Sequence, residues 1–183
     1  MPELMLDKIK VADSRVVLLE MDINSYNKNI PEILRYLTNE KNMPGVYVSL
    51  NKPIVVLHDI LEKKKVKTDM ILFIDAISKM SDISIKSHEN CFYLRSPKDL
   101  SDISIAISEA LNSIKKKKKF VFFDSLNTFL LYSNENLVAR FFHFVIGKIR
   151  IIGSNCFIIS LKKGVNKKLL TELSQFCDEY ITL

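Results

Sequence analysis

Residues 115–133 read KKKKKFVFFDSLNTFLLYS, five lysines running into an apolar strand that ends in Asp-Ser. Phe120, Val121, Phe122 and Phe123 offer no polar residue to either face, as expected of a strand buried on both sides of a sheet. The same pattern recurs along the chain. RVVLLEM (15–21), GVYVSL (45–50), MILFIDAI (70–77) and CFIISL (156–161) are near-continuous apolar runs, and EYITL (179–183) reads as a final edge strand. CFYLR (91–95) can add a short strand inside the irregular stretch 78–95.

Helical patterns separate these runs. PEILRYLTNE (31–40) opens with proline and places Ile33, Leu34 and Leu37 on one face, so a helix is expected to start at Pro31. PIVVLHDILEKKK (53–65) ends in lysines that suit a helix C-terminus. SPKDLSDISIAISEALNSI (96–114) is amphipathic, with Ser96 as its expected N-cap. ENLVARFFHFVIGKIRIIG (135–153) and NKKLLTELSQFC (166–177) complete the set. Strand–helix alternation with right-handed crossovers predicts an α/β three-layer sandwich around a mostly parallel sheet, in one domain spanning 1–183.

The composition is that of a globular chain: 183 residues, 48% hydrophobic, 26% charged and a net charge of +6. No run approaches the ~18 uncharged apolar residues of a membrane span. The start MPELMLDKIK lacks the layout of a secretory signal. Cys91, Cys156 and Cys177 form no CxxC pair, which argues against a disulfide framework or zinc site and for a cytoplasmic setting. His58, His88 and His143 lie in separate elements, and no GxSxG elbow is present. Tyr47, Phe73, Phe122 and Phe123 read as core.

Together GVYVSLNKP (45–53), ILFIDAIS (71–78), SPKDLSDISIAISEAL (96–111) and the stretch 119–153 resemble the KaiC-like branch of the RecA-type ATPases, over nearly the whole chain. The resemblance implies a sheet of order 5-1-4-3-2, counting the five main strands, and an archaeal origin. It also implies ATP at the carboxyl ends of the strands, often between subunits. Asp124, followed by Ser125, stands where the Walker B aspartate would hold Mg²⁺.

The ATP chemistry itself is not written in the chain. A phosphate loop needs glycines, a lysine and a Ser/Thr. The segment after the first strand, EMDINSYNKNIPEILRYL, has no glycine, and Lys28 is followed by Asn29, Ile30 and Pro31. Asn51 stands where relatives carry a catalytic glutamate, and an amide cannot accept a proton as a carboxylate does. The resulting expectation is an inactive, cofactor-free domain that serves as an interaction or regulatory module, with a protein partner or copies of itself. Two alternatives stand beside it. A vestigial crevice of Asp22, Lys28, Asn51, Asp124 and Ser125 could sense a nucleotide or anion without hydrolysis. In the expected strand order Asp22, Asp75 and Asp124 converge, and three such carboxylates could hold a hard cation.

The lysines have a different address. Lys41, Lys63, Lys64, Lys65, Lys67, Lys115, Lys116, Lys117, Lys118, Lys119, Lys148 and Arg150 all precede strands, which places them on the amino edge of the sheet, opposite the ATP side. The remaining 15 cations face 21 acids, so the chain is electrically polar. Such an edge suits a polyanion, nucleic acid included, or an acidic partner. Lysines that end helices and keep loops solvated give the same pattern.

Overall fold

The computed structural model describes Ile9, residues 14–80 and residues 87–183. Seven parallel strands form one sheet: β1 (Val16–Met21), β2 (Gly45–Ser49), β3 (Ile71–Asp75), β4 (Cys91–Tyr93), β5 (Phe120–Asp124), β6 (Asn155–Leu161) and β7 (Glu179–Thr182). The helices are α1 (Ile23–Arg35), α2 (Ile54–Lys63), α3 (Leu100–Ser113), α4 (Leu126–Tyr132), α5 (Glu135–Ile152) and α6 (Lys167–Ser174). Strand alternation divides the core in two. Val17, Leu19, Tyr47, Phe73 and Phe122 pack under α1 and α2. Val16, Leu18, Val48, Val121 and Phe123 pack under α3, α5 and α6. No helix among the described residues is long and apolar enough to cross a membrane.

The strand order is β4-β3-β2-β5-β6-β1-β7. This corrects the order 5-1-4-3-2. The first and fourth of the main strands, β1 and β5, are not neighbours, because β6 lies between them. β2 separates β5 from β3. The β2–β5 pairing has a local cause at its amino end: Gly45 faces Phe120, and a Cβ on Gly45 would stand 2.5 Å from the phenyl ring. Only a residue without a side chain lets that ring lie flat across the strand. The short strand at Cys91–Tyr93 and the closing strand β7 form the two edges.

Two helix starts also differ from expectation. Asp99, not Ser96, caps α3, its side chain accepting from the backbone N–H of Asp102. More consequentially, α1 begins at Ile23, one residue after β1, and carries Pro31 inside it. Tyr26, Ile30, Ile33, Leu34 and Leu37 are all buried and repeat at helical spacing. That apolar stripe outweighs the hydrogen bond that Pro31 cannot donate. A widened turn over Tyr36–Glu40 ends the helix.

Candidate functional site

The carboxyl ends of β5, β2 and β3 set Asp124, Ser49 and Asp75 side by side in register. Their parity along the strands matches Phe122, Tyr47 and Phe73, so all three face the layer of α1 and α2. Asp124 and Asp75 are therefore two strands apart, roughly 10 Å at ordinary strand spacing.

Asp124 is 1% exposed. The Tyr26 hydroxyl donates to its Oδ1 and the Tyr47 hydroxyl to its Oδ2. Tyr47 comes from β2 and is stacked on Phe122 with ring centroids 5.3 Å apart. Tyr26 comes from the first turn of α1, directly after β1. Lys52 sits with its Nζ 5.0 Å from the Tyr26 ring centroid. Burial pushes the Asp124 carboxyl above its ordinary value, while the two phenols and the Lys52 charge pull it back. Burial, then the neighbouring Asp124 charge, pushes both tyrosines up, so they stay protonated and act as donors. The cavity bounded by Tyr26, Tyr47, Lys52 and Asp124 holds ≈ 20 Å³. That is room for about one water molecule, whereas a separate pocket of ≈ 350 Å³ opens at the carboxyl ends of β1 and β6, lined by Asp22, Ile23, Asn24, Leu161, Lys162 and Lys163. The Asp124–Ser125 peptide bond is cis.

The other expected site residues scatter. Asp75 is fully buried and spends its carboxylate on structure: Oδ2 accepts from the Ile54 N–H at 2.7 Å and the Ser78 hydroxyl at 2.6 Å, and Oδ1 from the N–H groups of Ile77 and Ser78 at 2.8 Å. It thereby holds the N-terminus of α2, where a negative charge is favoured. Asp22 is exposed at the start of α1 and pairs with Lys162 at 3.0 Å. The convergence of Asp22, Asp75 and Asp124 inferred from the expected order is thus not found, since β6 and β2 intervene. Among the described residues no group of three or more His, Cys, Asp or Glu side chains is arranged to hold a metal ion. Lys28 and Asn51 are exposed. Ser125 is buried, with its Oγ 3.3 Å from Thr128 Oγ1.

The basic edge is gathered around the end of α1. Asn39 donates to the Lys65 carbonyl at 2.8 Å and accepts from the Lys67 N–H at 3.0 Å, while Lys116 Nζ donates to the Asn42 carbonyl at 2.6 Å. Lys64, Lys115 and Lys117 are exposed, and Lys63 pairs with Asp59 at 2.7 Å. Lys119 departs from the expectation. It is buried, and its Nζ donates to the Leu111 and Ile114 carbonyls at 2.8 and 2.9 Å, closing the end of α3. Lys148 lies on α5 with its Nζ 3.3 Å from Ser104 Oγ, and Arg150 pairs at 3.1 Å with Asp178, which precedes β7 at the amino edge, so its charge there is compensated.

Sequence reading found Asp124 but not the two tyrosines that hold it. The missed signal was the buried stripe beginning at Tyr26, which continues the periodicity of Ile30, Ile33 and Leu34.

Comparison with known proteins agrees with this architecture. The chain is similar to the KaiC-like protein PH0186 from the hyperthermophilic archaeon Pyrococcus horikoshii OT3, with TM-score 0.69 at 16% identity over 96% of this chain and 75% of that one. It is also similar to the uncharacterized protein PH0321 from Pyrococcus horikoshii, solved in complex with an unknown peptide, with TM-score 0.72 at 14% identity over 100% and 82%. At these identities the likeness establishes a RecA/KaiC-like fold. No curated protein matches. One family profile matches residues 75–183 and is described as "Family of unknown function (DUF7504)".

Proposed function

Because the chain belongs to that family of unknown function, DUF7504, its role has to be read from its own site, and we propose that it is a RecA/KaiC-like domain in which a packed hydrogen-bond core replaces nucleotide chemistry. It acts as a protein-interaction or regulatory module. The observation that carries this reading is the Tyr26 hydroxyl on Asp124. A Walker B carboxylate works by holding Mg²⁺ through water beside the phosphates. Here its two oxygens are taken by phenols, one of them from the helix that follows β1 directly, a segment without the glycines of a phosphate loop. Fold and function separate in this way when a scaffold keeps its docking surfaces and loses its chemistry. The peptide in the similar PH0321 structure is in keeping with such a role. The test is an ATP hydrolysis assay on the purified chain. The expected result is no turnover above background, and turnover that disappears in Asp124→Ala would overturn the proposal.

A second reading, binding of a polyanion along the amino edge, is supported by the meeting of the Lys63–Lys67 and Lys115–Lys118 segments at Asn39 and Asn42. Salt-sensitive retention on DNA or RNA at about 50 mM salt supports that reading, and its absence removes it.

A further inference from the structure

Helix α5 has two apolar faces. One is the core face of Val138, Phe142, Val145 and Ile149. The other consists of Leu137, Phe144 and Ile151, which are 47%, 56% and 88% exposed. These three are seven residues apart, and Arg140 and Gly147 fall between them at alternating spacings of three and four. That is the seam along which one helix receives another. Gly147 sharpens the point. It lies inside an 18-residue helix, and a Cβ there would meet nothing within 4 Å, so packing within the chain gives no reason for a glycine. A mid-helix glycine costs stability and, on a helix surface, lets a second backbone approach closely.

Beside the seam, α5 and α3 enclose a groove of ≈ 340 Å³, lined by the buried Phe141, the exposed Ile105 and the cations Arg140 and Lys148. Exposed apolar side chains grouped in a groove mark an interaction surface. The charges select the occupant. Among the described residues neither Arg140 nor Lys148 forms an ion pair, and the Lys148 ammonium rests 4.7 Å from the Phe144 ring centroid. A second copy packing α5 on α5 would bring these cations together, in a chain whose net charge is already +6.

We infer that the α3–α5 groove is the docking site for an amphipathic helix of an acidic partner protein. The partner's apolar stripe lies along Leu137, Phe144 and Ile151, its backbone passes closest at Gly147, and its carboxylates meet Arg140 and Lys148. The inference rests on the interaction-module reading and supplies the partner's chemistry. The groove lies on the opposite face of the sheet from Tyr26 and Asp124.

The test uses the full chain and two fluorescein-labelled synthetic peptides of three heptads, each with leucine at both seam positions. One carries glutamate and the other lysine at the flanking positions. Fluorescence anisotropy at about 50 mM salt reads binding, where exposed charge pairs are least screened. The glutamate peptide is expected to bind saturably, and the lysine peptide about 10-fold or more weaker. Phe144→Ala is expected to weaken the glutamate peptide by about 10-fold. Gly147→Leu should block it by filling the closest approach, and circular dichroism verifies that both variants are folded. Equal binding of the two peptides, no saturable binding, or binding unchanged by both variants would overturn the inference. So would a self-dimer in sedimentation that Phe144→Ala dissolves, because the seam would then belong to a second copy. A failure here with no ATP turnover removes the groove proposal alone, whereas turnover lost in Asp124→Ala removes the module reading whatever the peptides do.

Discussion

Tyr26→Phe removes one oxygen from the centre of the crevice and leaves the ring. Tyr26 is 5% exposed and Asp124 1%, so solvent cannot replace the lost donor freely. Hydrogen bonds to a charged group contribute about 1.5–3 kcal/mol. The cavity beside the pair, ≈ 20 Å³, admits one water at most and so offsets only part of the loss. The expected destabilisation is therefore about 1.5–3 kcal/mol, or a Tm lower by roughly 3–12 °C for a domain of this size. Urea unfolding at neutral pH, followed by far-ultraviolet circular dichroism, measures it through the midpoint and slope. Combining Tyr26→Phe with Asp124→Asn should give less than the sum of the two single effects, since both act on one contact. A Tyr26→Phe stability within about 0.5 kcal/mol of wild type would refute the reasoning, because a surface hydroxyl behaves that way and a buried carboxylate donor does not.

Further expectations concern Asp124, Asp75 and Gly147. Burial raises the folded-state pKa of Asp124, so between its ordinary value near pH ~4 and the raised value the folded chain binds more protons than the unfolded one. Its contribution to stability thus falls as pH rises through that window: wild-type stability minus that of Asp124→Asn should decrease from about pH 4 upward, and a difference that grows with pH contradicts the assignment. Asp75→Ala leaves the Ile54, Ile77 and Ser78 N–H groups without their acceptor and should cost about 3 kcal/mol or more in urea unfolding, while a loss under about 1 kcal/mol would deny Asp75 its role at the start of α2. Gly147→Ala should stabilise the isolated chain by about 1 kcal/mol, read as a Tm higher by roughly 2–4 °C, and a lower Tm would mean the glycine serves the fold itself.

The layers of this fold were legible in the sequence because both-face burial leaves an unmistakable mark: Phe120 to Phe123 have no polar neighbour on either side of the strand. The strand order was not, for the same reason. Runs of equal apolar character do not say which neighbour each will take, and the β2–β5 pairing depends on a Gly45–Phe120 fit across 75 residues of chain. At the site, Asp124 stood out because a carboxylate closing an apolar strand is locally visible. The roles of Asp75 and Lys119 were hidden because their partners are backbone groups of helix ends, the Ile54 N–H and the Leu111 carbonyl, which only tertiary structure brings near. Tyr26 was obscured by Pro31, read as a helix start when it lies inside the helix.

The central claim is that Tyr26 and Tyr47 take the Asp124 carboxylate that a metal-bound nucleotide would need, and a ligand titration followed by thermal unfolding tests it most directly. With ATP and Mg²⁺ in large excess, the account predicts no saturable rise in Tm. A nucleotide present at 100 times its Kd would add about 2.7 kcal/mol of stability, a shift of roughly 5–11 °C. A saturable shift of that size that Asp124→Ala abolishes would contradict the account.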